Sequence, residues 1–202
     1  MQLAAGRAQE GEAIMVNEDS MTLLTDYGGQ DISDWCASEK FHGCRAYWDG
    51  KDLWTRGGNI IKAPAWFKEG LPLQHLDGEM FAGYGRFQEA RIATQYGKFT
   101  EHIRYVVFDA PQIAGDWESR VAAAAMLISG APRAEIIRHW RMQDVMVSLS
   151  EIKLRGGEGL VVRHPMVAHY ETGRSRNVVR IKSWPYLPGA ERAATSILSG
   201  RE

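Results

Sequence analysis

Apolar positions recur along the chain with two different periods, and each change of period marks an element. Residues 44–49 and 53–56 are short β-type runs on either side of Asp49-Gly50-Lys51, an Asp-Gly turn signal, and they predict a hairpin with Lys40 just ahead of its first strand. Further strands are predicted at 76–82, 103–109, 136–142, 159–163 and 178–183. Helical stretches at 87–96, 117–128 and 145–154 alternate with them. Strands joined by irregular connections predict an α+β domain. The first 30 residues are acidic and contain glycine without clear periodicity, so a flexible leader is expected there. The folded domain is expected over residues 31–186, with a linker or tail over 187–202. No internal repeat, low-complexity tract or proline-rich linker interrupts the chain.

A length of 202 residues suffices for one domain with a substantial core and is too short for two of full size. A hydrophobic fraction of 45% and a charged fraction of 24% exclude the disordered and fibrous classes. No run approaches the roughly 18 apolar residues of a membrane span. Glu10, Glu12, Glu18 and Asp19 occupy the region where a signal peptide would be apolar, so a soluble, unexported protein is expected. Two cysteines, Cys36 and Cys44, form neither a zinc site nor a disulfide framework and point to a reducing cytoplasm. The net charge of -1 conceals an asymmetry: residues 133–202 hold 12 Lys and Arg against 7 Asp and Glu. A basic C-terminal third fits contact with phosphates, and it equally fits solvated surface arginines.

The candidate chemistry starts at Ser38-Glu39-Lys40-Phe41-His42-Gly43-Cys44-Arg45. A lysine attacks a phosphate only as the free amine, which requires cations and partial desolvation nearby. Gly43 would let the backbone come close, and Arg45 would hold phosphate. Alone, so short a motif carries little weight. The parts that follow it in order carry more: Arg56-Gly57-Gly58, Leu76-Asp77-Gly78-Glu79, Tyr105-Val106-Val107-Phe108-Asp109, Gly157-Glu158-Gly159-Leu160 and Val178-Val179-Arg180-Ile181-Lys182. In the last of these, alternation puts Arg180 and Lys182 on one face. Singly, each has a plainer reading, with Phe108 as core, Glu79 and Glu158 as solvated strand ends, and Arg174 and Arg176 as surface charge. His164 and His169 are spaced five apart and read as ordinary histidines without a third metal ligand.

The ordered series resembles the covalent nucleotidyltransferase superfamily of DNA ligases, RNA ligases and mRNA capping enzymes. The stretch 31–186 looks most like the minimal bacterial and phage ATP-dependent DNA ligases, with echoes in Thr55-Arg56-Gly57-Gly58-Asn59, Ala63-Pro64-Ala65-Trp66-Phe67 and Gly173-Arg174-Ser175. The resemblance implies an α+β adenylyltransferase domain of mainly antiparallel sheets flanked by helices. It also implies ATP as nucleotide, AMP carried covalently on Lys40, Mg²⁺, and nicked double-stranded DNA as partner. Lys40, Glu158 and Lys182 would be catalytic. Arg56 and Glu79 would contact the sugar side of the nucleotide, Phe108 would stack on adenine, Glu158 with Glu79 would bind the metal, and Arg45, Arg174, Arg180 and Lys182 would grip phosphate. A monomer is expected, although the sequence leaves the oligomeric state open.

Three departures from the pattern stand out. The family places an aspartate, or asparagine in some RNA ligases, where this chain has His42, and an imidazole removes or reverses that charge near neutral pH. Arg180 replaces a lysine, keeping the charge as a planar fork. Only 20 residues follow Lys182, too few for the five-stranded oligonucleotide-binding barrel of the family, so a chain without that barrel is expected, whether by truncation, by its supply from a separately encoded partner or by degeneration. Two other readings follow: a catalytically impaired nick- or nucleotide-binding protein, and an RNA ligase or GTP-using capping-type enzyme.

Overall fold

The computed structural model describes residues 16–183, and in it the alternating runs become the strands of two facing sheets. In chain order the elements are β1 (Thr22–Asp26), β2 (Cys36–Lys40), β3 (Cys44–Trp48), β4 (Leu53–Thr55), β5 (Ile60–Ile61), α1 (Ala65–Lys68), β6 (Leu76–Phe81) and α2 (Phe87–Tyr96). They continue with β7 (Arg104–Asp109), α3 (Trp117–Leu127), β8 (Ala134–Ile136), β9 (His139–Arg141), α4 (Val145–Leu154), β10 (Gly159–Arg163) and β11 (Gly173–Ile181). The first sheet runs β1-β11-β10-β2-β9 and the second β5-β4-β3-β6-β7-β8. All neighbours are antiparallel except β1 with β11 and β7 with β8. This is the expected α+β class with mainly antiparallel sheets flanked by helices.

Period-two alternation decides what each sheet buries. On one face of the first sheet, Ala37, Leu160, Val162, Val179 and Ile181 pack against Leu149 and Ile152 of α4. On one face of the second, Ala46, Trp48, Leu76, Met80, Tyr105 and Val107 pack against Ala90 and Ala93 of α2 and Ala124 of α3. Helices α4 and α2 therefore cover the outer faces, while α3 reaches from the second sheet's outer core into the space between the sheets. Between the sheets, Cys36, Val106 and Ile137 meet Trp117 and Val121 of α3. The opposite residues of the same strands, Lys40, Arg45, Asp77, Glu79 and Phe108, are left to line a cleft between the sheets.

The helix ends are written locally. Asp144 caps α4 by accepting from Met146 and Val147 N–H, Asp116 caps α3 by accepting from Ser119 N–H, and Gly97 ends α2 in the left-handed conformation. Two glycines allow close strand approach at the cleft. A Cβ on Gly43 would lie 2.2 Å from the Met80 carbonyl oxygen, and one on Gly159 would lie 2.2 Å from that of Ile181.

Several expectations are corrected. Residues 16–30, assigned to a flexible leader, include β1 and the buried side chains of Val16 and Met21. Pairing of β1 with β11, whose partner residues lie 151 to 154 positions away, orders them; residues 1–15 lie outside the described part. The strand expected at 136–142 is two short strands in different sheets, because the chain crosses between the sheets beside Ile137. Lys40 does not merely precede a strand but ends β2, and β11 starts at Gly173 and stops one residue short of Lys182. The tail expected at 187–202 lies outside the described residues. Cys36 and Cys44 are free thiols. Among the described residues no helix is long and apolar enough to cross a membrane.

Candidate active site

Lys40 closes β2, and its register partner across the ladder is Gly159, the first residue of β10. Glu158 therefore stands at the end of the neighbouring strand, and its Oε2 accepts from Lys40 Nζ at 2.6 Å. The other oxygen, Oε1, lies 2.6 Å from Lys182 Nζ. One carboxylate thus bridges two ammonium groups. Partial burial by itself would raise the Glu158 carboxyl, but the hydrogen bonds from Lys182 and Lys40 outweigh it and hold the group below the ordinary glutamate range. Lys153 Nζ donates to the Glu158 carbonyl at 2.6 Å and fixes the turn that presents it.

The second sheet supplies the facing wall. β6 pairs with β3 so that Glu79 lies opposite Arg45, and Glu79 Oε1 accepts from Gly43 N–H at 3.1 Å. Burial pushes the Glu79 carboxyl up to about 7 against the lowering influence of Lys40, Arg45 and the Gly43 N–H. The Arg45 side chain does not have the free fork expected of a phosphate grip. Its Nε donates to Asp77 Oδ1 at 2.7 Å, its Nη2 to Asp77 Oδ2, and its Nη1 to the Thr22 carbonyl at 2.9 Å. Asp77 is fully buried, and a carboxylate without water takes whatever donors the fold offers.

Phe108 is partly buried, with the Arg45 guanidinium 4.9 Å and that of Arg163 5.7 Å from its ring centroid. Its carbonyl accepts from Trp117 Nε1 at 2.8 Å. Behind it, Asp109 and Arg120 form a buried two-pronged ion pair at 2.7 and 3.1 Å. Arg163 is buried as well, and it donates to Ser38 Oγ at 2.7 Å.

The remaining expected residues are placed differently. Arg56 is exposed, pairs with Glu18 at 2.8 Å, and is not among the residues lining the cleft. Arg174 is exposed and donates to the Leu24 carbonyl at 3.2 Å. Arg180 gives its fork to Asp26 at 2.6 and 3.1 Å. His42 is exposed and stacks on Phe87, the first residue of α2, at 4.4 Å and 12°. The structure therefore brings together Lys40, Glu158 and Lys182 directly, sets Glu79, Arg45 and Phe108 around them, and leaves Arg56 apart. His164 and His169 line the cleft, His164 edge-on to Trp35. Among the described residues no group of three or more His, Cys, Asp or Glu side chains is placed to hold a metal ion.

Two contributors escaped the sequence reading. Tyr170, in the loop before β11, donates to Asp77 Oδ2 and accepts from Thr22 N–H at 3.0 Å, tying β1, β6 and that loop together. Asp77 has no assigned role in the sequence pattern beside Glu79, although alternation places both carboxylates on one face and a buried pair of that kind calls for a cation such as Arg45.

No protein-family model matches the chain. A DNA ligase of Haemophilus influenzae is 36% identical over 174 residues, covering 83% of this chain and 64% of that protein. The chain thus spans just under two thirds of that relative's length. A solved Lig E DNA ligase, described as binding DNA with a minimal scaffold, superposes with a TM-score of 0.72 at 30% identity, over 81% of this chain and 68% of that one. The Chlorella virus DNA ligase-adenylate superposes with a TM-score of 0.67 at 18% identity, over 83% of this chain and 67% of that one.

Proposed function

The chain belongs to the DNA ligase family, and we propose that it seals nicked double-stranded DNA with ATP, through AMP carried on Lys40. The observation that carries the reading is the Lys40–Glu158–Lys182 bridge, whose Lys40 lines a cleft together with Glu79 and Phe108. In the first step Lys40 Nζ attacks the α-phosphorus of ATP. An N–P bond forms, the bond to the bridging oxygen breaks, and pyrophosphate leaves. Lys40 attacks as the free amine, its proton passing to solvent, and the Glu158 carboxylate at 2.6 Å holds the nitrogen in place. AMP then passes to the 5′-phosphate of a nick, and the 3′-hydroxyl displaces it. Lys182 stands beside the reacting lysine as a fixed cation for the developing charge. Phe108 offers a ring for the adenine.

Glu158 and Glu79 are the carboxylates on hand for Mg²⁺. Two carboxylates suit Mg²⁺ when substrate phosphates complete its shell, and the ion would supply neutralisation of phosphate charge. Both Glu158 oxygens are engaged by ammonium groups, so an ion there would take the place of at least one of them.

Incubating the protein with α-labelled ATP and Mg²⁺ tests the reading. Label is expected to become covalently attached to the wild type and to be absent from Lys40→Ala. A wild type that neither takes up label nor seals an already adenylylated nick overturns it. Preferential labelling by GTP would move the assignment to a capping-type reaction.

A further inference from the structure

The strands β1 and β11 run parallel, and their register is broken in one place. Thr22 and Leu23 lie opposite Gly173 and Arg174, whereas Thr25 and Asp26 lie opposite Val179 and Arg180. Continued unbroken, the first register would set Asp26 against Asn177; the break carries it three residues further, to Arg180. Side chains hold the irregularity in place. Thr25 Oγ1 donates to the carbonyls of Ser175 and Val178 at 3.1 and 3.5 Å. Glu171 accepts from Ser175 Oγ and, at 2.9 Å, from Asn177 Nδ2. The fold thus commits a bulge and its own network to bringing one carboxylate beside one guanidinium.

At that place Asp26 fills the Arg180 fork with both oxygens, at 2.6 Å to Nε and 3.1 Å to Nη2. Two parallel N–H···O bonds to a planar pair of oxygens are also the geometry with which arginine takes a phosphate. The pair is open to solutes, with Asp26 77% and Arg180 34% exposed. The hydrogen bond from Arg180, joined by the charges of Lys182 and Arg174, holds the Asp26 carboxyl below the ordinary aspartate range. Alternation puts Arg180 on the side of Lys182, whose partner Glu158 also holds Lys40. The exchangeable carboxylate therefore stands next to the lysine pair of the site.

We propose that Asp26 is a counter-ion built into the site: it keeps the Arg180 fork aligned in place of the nucleotide's polyphosphate, yields it when the polyphosphate arrives, and so sets the site's phosphate affinity. The inference rests on the reading of Lys40 as a nucleotidyl carrier. Exposed ion pairs are weak, so the exchange is easy, and losing the carboxylate should strengthen polyphosphate binding by only about two- to fivefold.

The test is calorimetric titration of the full chain with inorganic tripolyphosphate at fixed ionic strength. Asp26→Asn is expected to bind about two- to fivefold more tightly than wild type, Asp26→Glu to stay near wild type, and the gain to vanish when Arg180→Ala is combined with Asp26→Asn. Unchanged or weaker binding by Asp26→Asn overturns the proposal. So does a gain that survives Arg180→Ala, a gain confined to a nicked duplex, or a wild type that does not bind tripolyphosphate. Labelling of Lys40 is read separately: a failed titration with labelling intact removes the counter-ion alone, and failed labelling with the titration as expected removes the reaction alone.

Discussion

Glu79 concentrates the electrostatics of the site in one carboxyl. It is pushed up to about 7 from an ordinary value of 4.5, burial outweighing the help of Lys40, Arg45 and the Gly43 N–H. The folded protein therefore keeps a proton that the unfolded chain has released, over the window between those two values. A folded state that binds the extra proton is favoured at low pH, so this contribution to stability is present below pH 4.5 and is lost as pH rises through about 7. Glu79→Gln keeps an acceptor for Gly43 and cannot titrate. Urea denaturation of both proteins from pH 5 to pH 8 should show wild type losing stability relative to Glu79→Gln, on the order of 3 kcal/mol in all. A difference that stays flat across the window would show that Glu79 ionises there without strain.

Where β7 meets α3, the element scale sets how firmly the cleft wall is held. The Asp109–Arg120 pair is almost entirely buried, with side chains 9% and 4% exposed, and it follows Phe108 directly. Removing one member of such a pair strands the other charge, so Arg120→Leu should cost about 3–5 kcal/mol in urea denaturation. Adding Asp109→Asn should recover most of that loss; a double variant as unstable as the single one would place the cost in packing instead. The neighbouring elements show what the sequence could tell. α2, α4 and β10 fall on the residues that periodicity marked, because Gly97, Asp144 and Gly159 write their ends locally. β1 went unseen because its order comes from β11, far along the chain, and β2 because Cys36-Ala37-Ser38-Glu39-Lys40 shows no clear polar alternation. The order of Lys40, Glu158 and Lys182 was legible, but their shared contact was not, since it depends on the register of β2 against β10. Tyr170 carried no signal at all: an aromatic in a loop acquires meaning only when Asp77 is found buried beneath it.

Over the whole molecule, the charge asymmetry of the sequence folds back on itself. The acidic N-terminal part supplies Glu18 and Asp26, and the basic C-terminal part supplies Arg174, Arg176, Arg180 and Lys182 along one strand and its exit, so the two meet at the edge of the first sheet. A net charge of -1 thus coexists with a local run of cations. Arg174 and Arg176 are both exposed, with buried Ser175 between them. If this edge takes the phosphates of a nicked duplex, each arginine displaces about one counter-ion from the nucleic acid. Replacing both with alanine should weaken binding and flatten the slope of log K against log salt concentration by about two. Arg91, exposed on α2 against the far side of the second sheet, carries the same charge at a different place, and Arg91→Ala should leave the slope unchanged. Titrations of a labelled nicked duplex at several salt concentrations distinguish the cases. Equal flattening by Arg91→Ala would mean that the duplex feels only the protein's total charge, and the run of cations along β11 would then have no special part in holding it.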